Sequence, residues 1–195
     1  MERSVVNGPG VRFVLWVQGC TIHCPGCINP DLLPLVSHHI VKVSDMARRI
    51  ISTPGIEGVT FTGGEPTLQA DALAELCSQI KDKGLTILCY SGYRLEELRS
   101  RNNSGLSELL AQIDLLIDGP YMSAESAPLP WRGSHNQRLH FLSPAYVNLS
   151  EEYSVSDRQI ELIVGSKFWT MTGTWENHFR RRLEELLATG IAESN

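Results

Sequence analysis

Val11-Arg12-Phe13-Val14-Leu15-Trp16-Val17 is apolar, β-branched and aromatic between Gly10 and Gly19, and predicts a strand. Ser44 to Ser52 repeats its apolar positions at helical spacing, with Ser44 as N-cap and Pro54-Gly55 beyond the end. Val59-Thr60-Phe61-Thr62 predicts a short strand that stops at Gly63-Gly64. Gln69 to Lys83 follows as an amphipathic helix: Leu73, Leu76, Cys77 and Ile80 share one face, and Gly84 ends it. Leu85 to Tyr90 is the next strand. Leu95 to Arg99 and Leu106 to Gln112 read as short helices, and Ile113 to Ile117 as a strand closed by Asp118-Gly119-Pro120.

Pro128 to Gln137 has no period and reads as a loop. Arg138 to Leu142, Gln159 to Val164 and Phe168 to Thr172 read as later strands. Gly165-Ser166 joins the last two as a hairpin, and Trp175 to Leu187 closes the chain as a helix. Strands that alternate with helices give β-α units, right-handed crossovers and a mainly parallel sheet, so the class is α/β. Sites in such sheets lie at the C-terminal strand ends. The segments after Val17, Thr62, Tyr90 and Ile117 therefore gather on one rim.

The 195 residues suit one domain, with a core at about 5–142 and a hairpin and helix at about 143–195. A hydrophobic fraction of 42% and a charged fraction of 20% are ordinary for a globular protein. With a net charge of −5, no large basic excess points to nucleic acid. The one compact basic run, Arg180-Arg181-Arg182, leads into Glu184 and Glu185 and reads as a solvated helix face. No apolar stretch reaches the length that spans a bilayer and no signal-peptide pattern opens the chain, so a cytoplasmic location is expected.

Five cysteines is an odd number, and three stand together in Cys20-Thr21-Ile22-His23-Cys24-Pro25-Gly26-Cys27. That suits a metal site better than a disulfide framework. Three thiolates of one loop can hold three irons of a 4Fe-4S cube and leave the fourth open to another ligand. Zinc is the other reading. Structural zinc wants four ligands, and His23, wedged between two cysteines, is poorly placed to be the fourth. Gly19 and Gly26 let the backbone wrap a bulky group, and Pro25 stiffens the loop.

Thr62-Gly63-Gly64-Glu65-Pro66 ends a strand, where glycines admit a ligand close to the backbone and Glu65 can accept from an ammonium group. Alone this is a common strand-to-helix connector. Together with the cysteine triad it resembles the radical S-adenosylmethionine (radical SAM) enzymes. Further landmarks narrow the likeness: Asn7-Gly8-Pro9-Gly10, Cys24 to Pro30, Ser91-Gly92-Tyr93, Leu116 to Pro120 and Trp131 to Arg138. In this order they are similar to the activating proteins of anaerobic (class III) ribonucleoside-triphosphate reductase, over roughly 5–142.

The resemblance implies an incomplete (β/α) barrel of the radical SAM type. It implies one 4Fe-4S cluster on Cys20, Cys24 and Cys27, and S-adenosylmethionine against Gly26, Cys27, Ile28, Gly63, Gly64 and Glu65, with Ser91 and Asp118 at its ribose or methionine end. Asp118 reads equally as a turn former. The implied activity is reductive cleavage of S-adenosylmethionine to a 5′-deoxyadenosyl radical, which leaves a glycyl radical on a partner reductase. An electron donor such as flavodoxin or ferredoxin is implied as a second partner. A radical SAM enzyme for another peptide or small molecule, and a non-catalytic iron-sulfur or zinc module, are the competing readings.

Relatives carry a strand-like segment ahead of Asn-Gly-Pro-Gly, whereas this chain begins almost at that motif. Beyond about residue 143 it extends past the compact activators. Arg132, Asn136 and Gln137 form a polar cluster that suits site-edge contacts and plain loop hydrogen bonding alike. Cys77 and Cys89 fall on apolar faces and read as core, as do Trp16 and Trp175, while His38-His39 reads as a surface pair.

Overall fold

A computed structural model describes residues 1–146, 149, 159–164, 169–175, 179, 181–183 and 185–186. Its centre is a five-stranded sheet in the order β1-β2-β3-β4-β7. The strands are β1 (Arg12–Val17), β2 (Gly58–Gly63), β3 (Thr86–Ser91), β4 (Leu115–Asp118) and β7 (Arg138–Phe141). The first four run parallel, and β7 lies antiparallel against β4 with Asp118 opposite Arg138. The crossovers are α1 (Val43–Ser52) between β1 and β2, α2 (Ala70–Ile80) between β2 and β3, and α3 (Leu95–Ser100) with α4 (Ser104–Gln112) between β3 and β4.

Alternation along each strand sets two faces. Phe13, Val59, Phe61, Ile87 and Cys89 point toward the helices and meet Ile50, Leu73, Leu76, Cys77, Ile80, Leu106 and Leu109. Leu88, Leu115 and Ile117 point the other way, toward Tyr146, Tyr90 and Trp131. Strands buried on both faces read as continuous apolar runs, which is why they stood out in the sequence.

The second face also holds a buried guanidinium. Arg12 is fully enclosed and donates to Thr60 Oγ1 (2.7 Å), Val59 O (2.6 Å), Thr86 O (2.9 Å) and Tyr146 Oη (2.8 Å). Gly58 makes the room: a Cβ there would stand 2.6 Å from Arg12 Nη1. Burial lowers the pKa of Arg12, yet its donors are satisfied, and it cross-links three strands and the 144–146 turn.

Several boundaries differ from the sequence pattern. Helix α1 starts at Val43 with extended Lys42 as its N-cap, so Ser44 lies inside the first turn and caps nothing. The Gln69–Lys83 helix is α-helical only over Ala70–Ile80 and tightens to 3₁₀ over Lys81–Lys83; Gly84, at φ +73°, ends it in the left-handed region. The expected loop at 128–137 contains an antiparallel hairpin, β5 (Ser126–Leu129) with β6 (Arg132–Ser134). Its irregular register and positive φ at Trp131 erase any period of two.

Strands β8 (Ile160–Val164) and β9 (Trp169–Gly173) form the expected antiparallel hairpin. Gly165 and Ser166 lie outside the described residues. So does much of the terminal helix expected over 175–187, of which 179, 181–183, 185 and 186 are helical. Met1 and Ser4 pair with Val14 and Arg12 along the free side of β1, so the first residues extend that edge.

Candidate functional site

The rim at the C-terminal strand ends holds the cysteine loop. Beyond Val17 the chain turns at Gly19 (φ +99°) and closes on itself, because Gly19 N–H and Cys20 N–H donate to Leu32 O (2.9 Å) and Leu33 O (3.0 Å). Within the loop Cys27 N–H donates to Cys24 O at 3.0 Å, and Gly26 takes φ +75°. His23 sits exposed at φ +52°, away from the cavity that Cys20, Cys24 and Cys27 line together. It turns the backbone between two cysteines and stands outside the lining of the thiols' cavity.

The turn after β2 packs directly on this loop. Gly64 N–H donates to Val17 O and Glu65 N–H to Gly19 O, each at 2.8 Å. A Cβ on Gly64 would stand 2.3 Å from Gly19 O, so only glycine permits the approach. The Glu65 carboxylate is buried and turned inward. Its Oε1 accepts from Thr67 N–H (3.0 Å), Thr67 Oγ1 (2.6 Å) and Ser91 Oγ (2.9 Å), and its Oε2 accepts from Gly92 N–H (2.8 Å). Burial pushes this carboxyl above its ordinary range, against the opposing pull of those donors. Glu65 therefore joins the turns after β2 and β3, and Ile22 of the cysteine loop lies over Gly92. Thr21 and Tyr93 share a hydroxyl hydrogen bond of 2.8 Å across the same seam.

Cys27, Ile28, Gly63, Gly64, Glu65 and Ser91 all line one cavity with the three thiols. Gly26 packs beside Ser123 and is not among the lining residues. Asp118 also stands apart from it. Its carboxylate accepts from Leu95 N–H (2.7 Å) and from Arg138 Nε (2.8 Å) and Nη2 (2.5 Å), with Arg94 at 3.6 Å and His140 at 3.0 Å. Burial raises its pKa, but the Arg138 and Leu95 donors with the His140 and Arg138 charges outweigh that and hold it below the ordinary carboxylate range. Asp118 fixes α3 and β7 to the end of β4, while Gly119 and Tyr121 beyond it reach the cavity.

The polar cluster serves the site edge and the loop alike: Gln137 lines the cavity, and Asn136 and Gln137 brace the loop. Asn136 donates to Pro120 O, and Gln137 accepts from Gly133 N–H and donates to Gly119 O. Trp16 and Trp175, expected in the core, are half-buried and line the cavity, as do Tyr90, Trp131, Met171 and Thr172. These come from separate strands and hairpins, and no local spacing marks them. Cys77 and Cys89 lie in the core as expected; burial raises both thiols, Cys77 to about 12. His38 and His39 are exposed.

The donor set can be tested against a cluster. Among the described residues no three His, Cys, Asp or Glu side chains converge on one point as ligands of a single metal ion. Three thiols that line one cavity are a donor set that suits a cube, in which each thiolate meets a different iron. Burial raises the Cys24 and Cys27 thiols, so ligation there must displace protons. Cys20, Cys24 and Cys27 thus fit a 4Fe-4S group and fit zinc poorly. Among the described residues no helix is long and apolar enough to cross a membrane.

Residues 6–140 match the family model of a 4Fe-4S single cluster domain. The chain is 35% identical over 148 residues to the anaerobic ribonucleoside-triphosphate reductase-activating protein of Vibrio cholerae, covering 70% of this chain and 92% of that one. It is 33% identical over 141 residues to the protein of that name from Enterobacteria phage T4, covering 69% and 86%. With that of Escherichia coli K12 it shares 31% over 148 residues, covering 71% and 94%.

Proposed function

Because the chain belongs to the family of the anaerobic ribonucleoside-triphosphate reductase-activating proteins and carries their 4Fe-4S single cluster domain, we propose that it generates the glycyl radical of such a reductase. The carrying observation is that Cys20, Cys24, Cys27 and the Gly63-Gly64-Glu65 turn line one cavity. The sheet is read as an incomplete (β/α) barrel of the radical SAM type. The three cysteines are the cluster ligands; Cys27, Ile28, Gly63 and Gly64 are the S-adenosylmethionine contacts, with Glu65 and Ser91 beside them, while Gly26, off the cavity wall, shapes the loop. Asp118 serves in the supporting frame.

When bound, the cluster would supply one electron that breaks the C5′–S bond of S-adenosylmethionine, releasing methionine and leaving the 5′-deoxyadenosyl carbon to take a hydrogen atom from a glycine Cα of the reductase. The chain's own residues hold and orient. Gly64 lets the β2 turn approach the cysteine loop, so a ligand on that turn is fixed relative to the thiols. Glu65 holds the turns after β2 and β3 in register and keeps Oε2 with acceptor capacity beyond Gly92. Tyr90, Trp16, Trp131 and Trp175 wall the cavity with aromatic surface that sheds water from a reactive radical.

The test is electron paramagnetic resonance of the purified reductase after incubation with the reconstituted protein, S-adenosylmethionine and a low-potential flavodoxin or ferredoxin. The expected result is a glycyl-radical doublet that needs all components. No doublet, with an intact cluster and S-adenosylmethionine consumed, would assign the radical chemistry to another substrate.

A further inference from the structure

Among the described residues, the outer edge of β1 ends beside the cavity with one residue unpaired. In a strand the N–H and C=O of one residue face one neighbour and those of the next residue face the other. Val17 O accepts from Gly64, so the odd-numbered residues at this end face β2. Arg12 and Val14 face outward and are paired by Ser4 and Met1. Trp16 faces outward too, and no described residue takes its N–H or C=O. An edge in that state is a template for another strand.

A second observation lies opposite it. A groove of about 820 Å³ runs along this edge between Met1–Arg3, Asn29–Leu32 and the β8–β9 hairpin. Trp16, Ile28, Asn29, Met171 and Trp175 line both this groove and the inner cavity, so the two are continuous. The hairpin is tied down: Glu161 accepts from Ser4 Oγ and Val5 N–H, and buried Thr172 donates to Asn7 Oδ1 at 3.0 Å. It lies beyond the residues matched by the family model.

We propose that this groove takes the polypeptide substrate as an added strand: an extended segment pairs with the Trp16 N–H and C=O, is clamped between Trp16, Met171 and Trp175, and so delivers its glycine to the cavity. This rests on the function proposed above. An extended peptide fits because main-chain bonding gives affinity for a loop of any sequence, while apolar walls grip its alternate side chains. A small molecule has no use for an open strand edge.

The test is anaerobic titration of the cluster-loaded, S-adenosylmethionine-bound protein with a short synthetic peptide spanning the radical-bearing glycine of the reductase. Calorimetry reads affinity and hydrogen exchange reads the Trp16 amide. Trp16 exchange should slow at least about tenfold, the scale of a gained backbone bond. Peptides N-methylated one residue at a time should lose about tenfold in affinity only at the residue whose N–H meets Trp16 C=O. Equal losses at neighbouring residues, or an unchanged Trp16 amide with bound peptide, would overturn the proposal. So would a protein dimer that pairs the two edges, seen by light scattering. If the glycyl radical forms on intact reductase while the peptide leaves Trp16 unprotected, the strand pairing falls and the function stands. If the peptide pairs but no radical ever forms, the reverse holds.

Discussion

Glu65 accepts the backbone N–H of Gly92 at 2.8 Å, and this bond ties the turn after β2 to the turn after β3. The two turns are otherwise separate strand exits, and the cysteine loop rests on both. Glu65→Ala would leave donors of Thr67, Ser91 and Gly92 unpaired in a buried place. The expected cost is about 2–3 kcal/mol, or a Tm lower by roughly 5–10 °C. S-adenosylmethionine affinity should fall while iron content stays near normal. Unchanged affinity, measured by calorimetry on the loaded protein, would remove Glu65 from the site.

Gly64→Ala attacks the same seam from the other side. Its Cβ would meet Gly19 O at 2.3 Å, a backbone atom that cannot swing aside. Overpacking of this kind costs about 1–3 kcal/mol, which lowers Tm by roughly 3–10 °C. Because Gly19 precedes Cys20, cluster yield on reconstitution should drop as well. A Gly64→Ala protein with native Tm and full iron would mean that the two turns are not in contact.

Cys24→Ala should abolish cluster assembly. Two loop thiols remain, and the chain's other cysteines, Cys77 and Cys89, are enclosed in the core where neither reaches the cavity. Iron and sulfide analysis after anaerobic reconstitution checks this, with Cys77→Ala as the control that keeps its iron. Full iron in Cys24→Ala would contradict the ligand assignment.

Asp118 predicts an acid limit. Its folded-state pKa lies below the ordinary value, so its contribution is present above the unfolded pKa, near pH 4, and is lost as pH falls through the lower folded value. Urea midpoints should therefore decline below about pH 4, and Asp118→Asn should flatten that decline. At neutral pH the variant should lose on the order of 2 kcal/mol, less than for a fully buried pair because Arg138 is partly exposed. An unaltered acid profile would mean that other carboxylates set the limit.

Much of the frame was legible because its signals are local. The four parallel strands are mostly apolar and β-branched, Arg12 and Thr60 apart, and lead into glycine turns or Asp118-Gly119. The cysteine triad and Gly63-Gly64-Glu65 are contiguous motifs whose glycines serve backbone contacts, so their meeting at one rim follows from strand order alone. What escaped was non-local. The β5–β6 hairpin hides behind Trp131 at positive φ and a shifted register. The strand that carries Arg138, the partner of Asp118, was legible, but β-α periodicity does not announce its antiparallel pairing with β4. Trp16 and Trp175 look like core residues by composition, and only the packing of the β8–β9 hairpin against residues 4–7 and the strand-end rim shows them lining the cavity.

The most direct test of the central claim is 5′-deoxyadenosine formation. The protein is reconstituted anaerobically with iron and sulfide, reduced with dithionite and given S-adenosylmethionine. The account predicts roughly four irons per chain and 5′-deoxyadenosine that appears only with the reduced cluster. A protein that binds zinc alone, or that holds a full cluster yet yields no 5′-deoxyadenosine even with the reductase present, would contradict it.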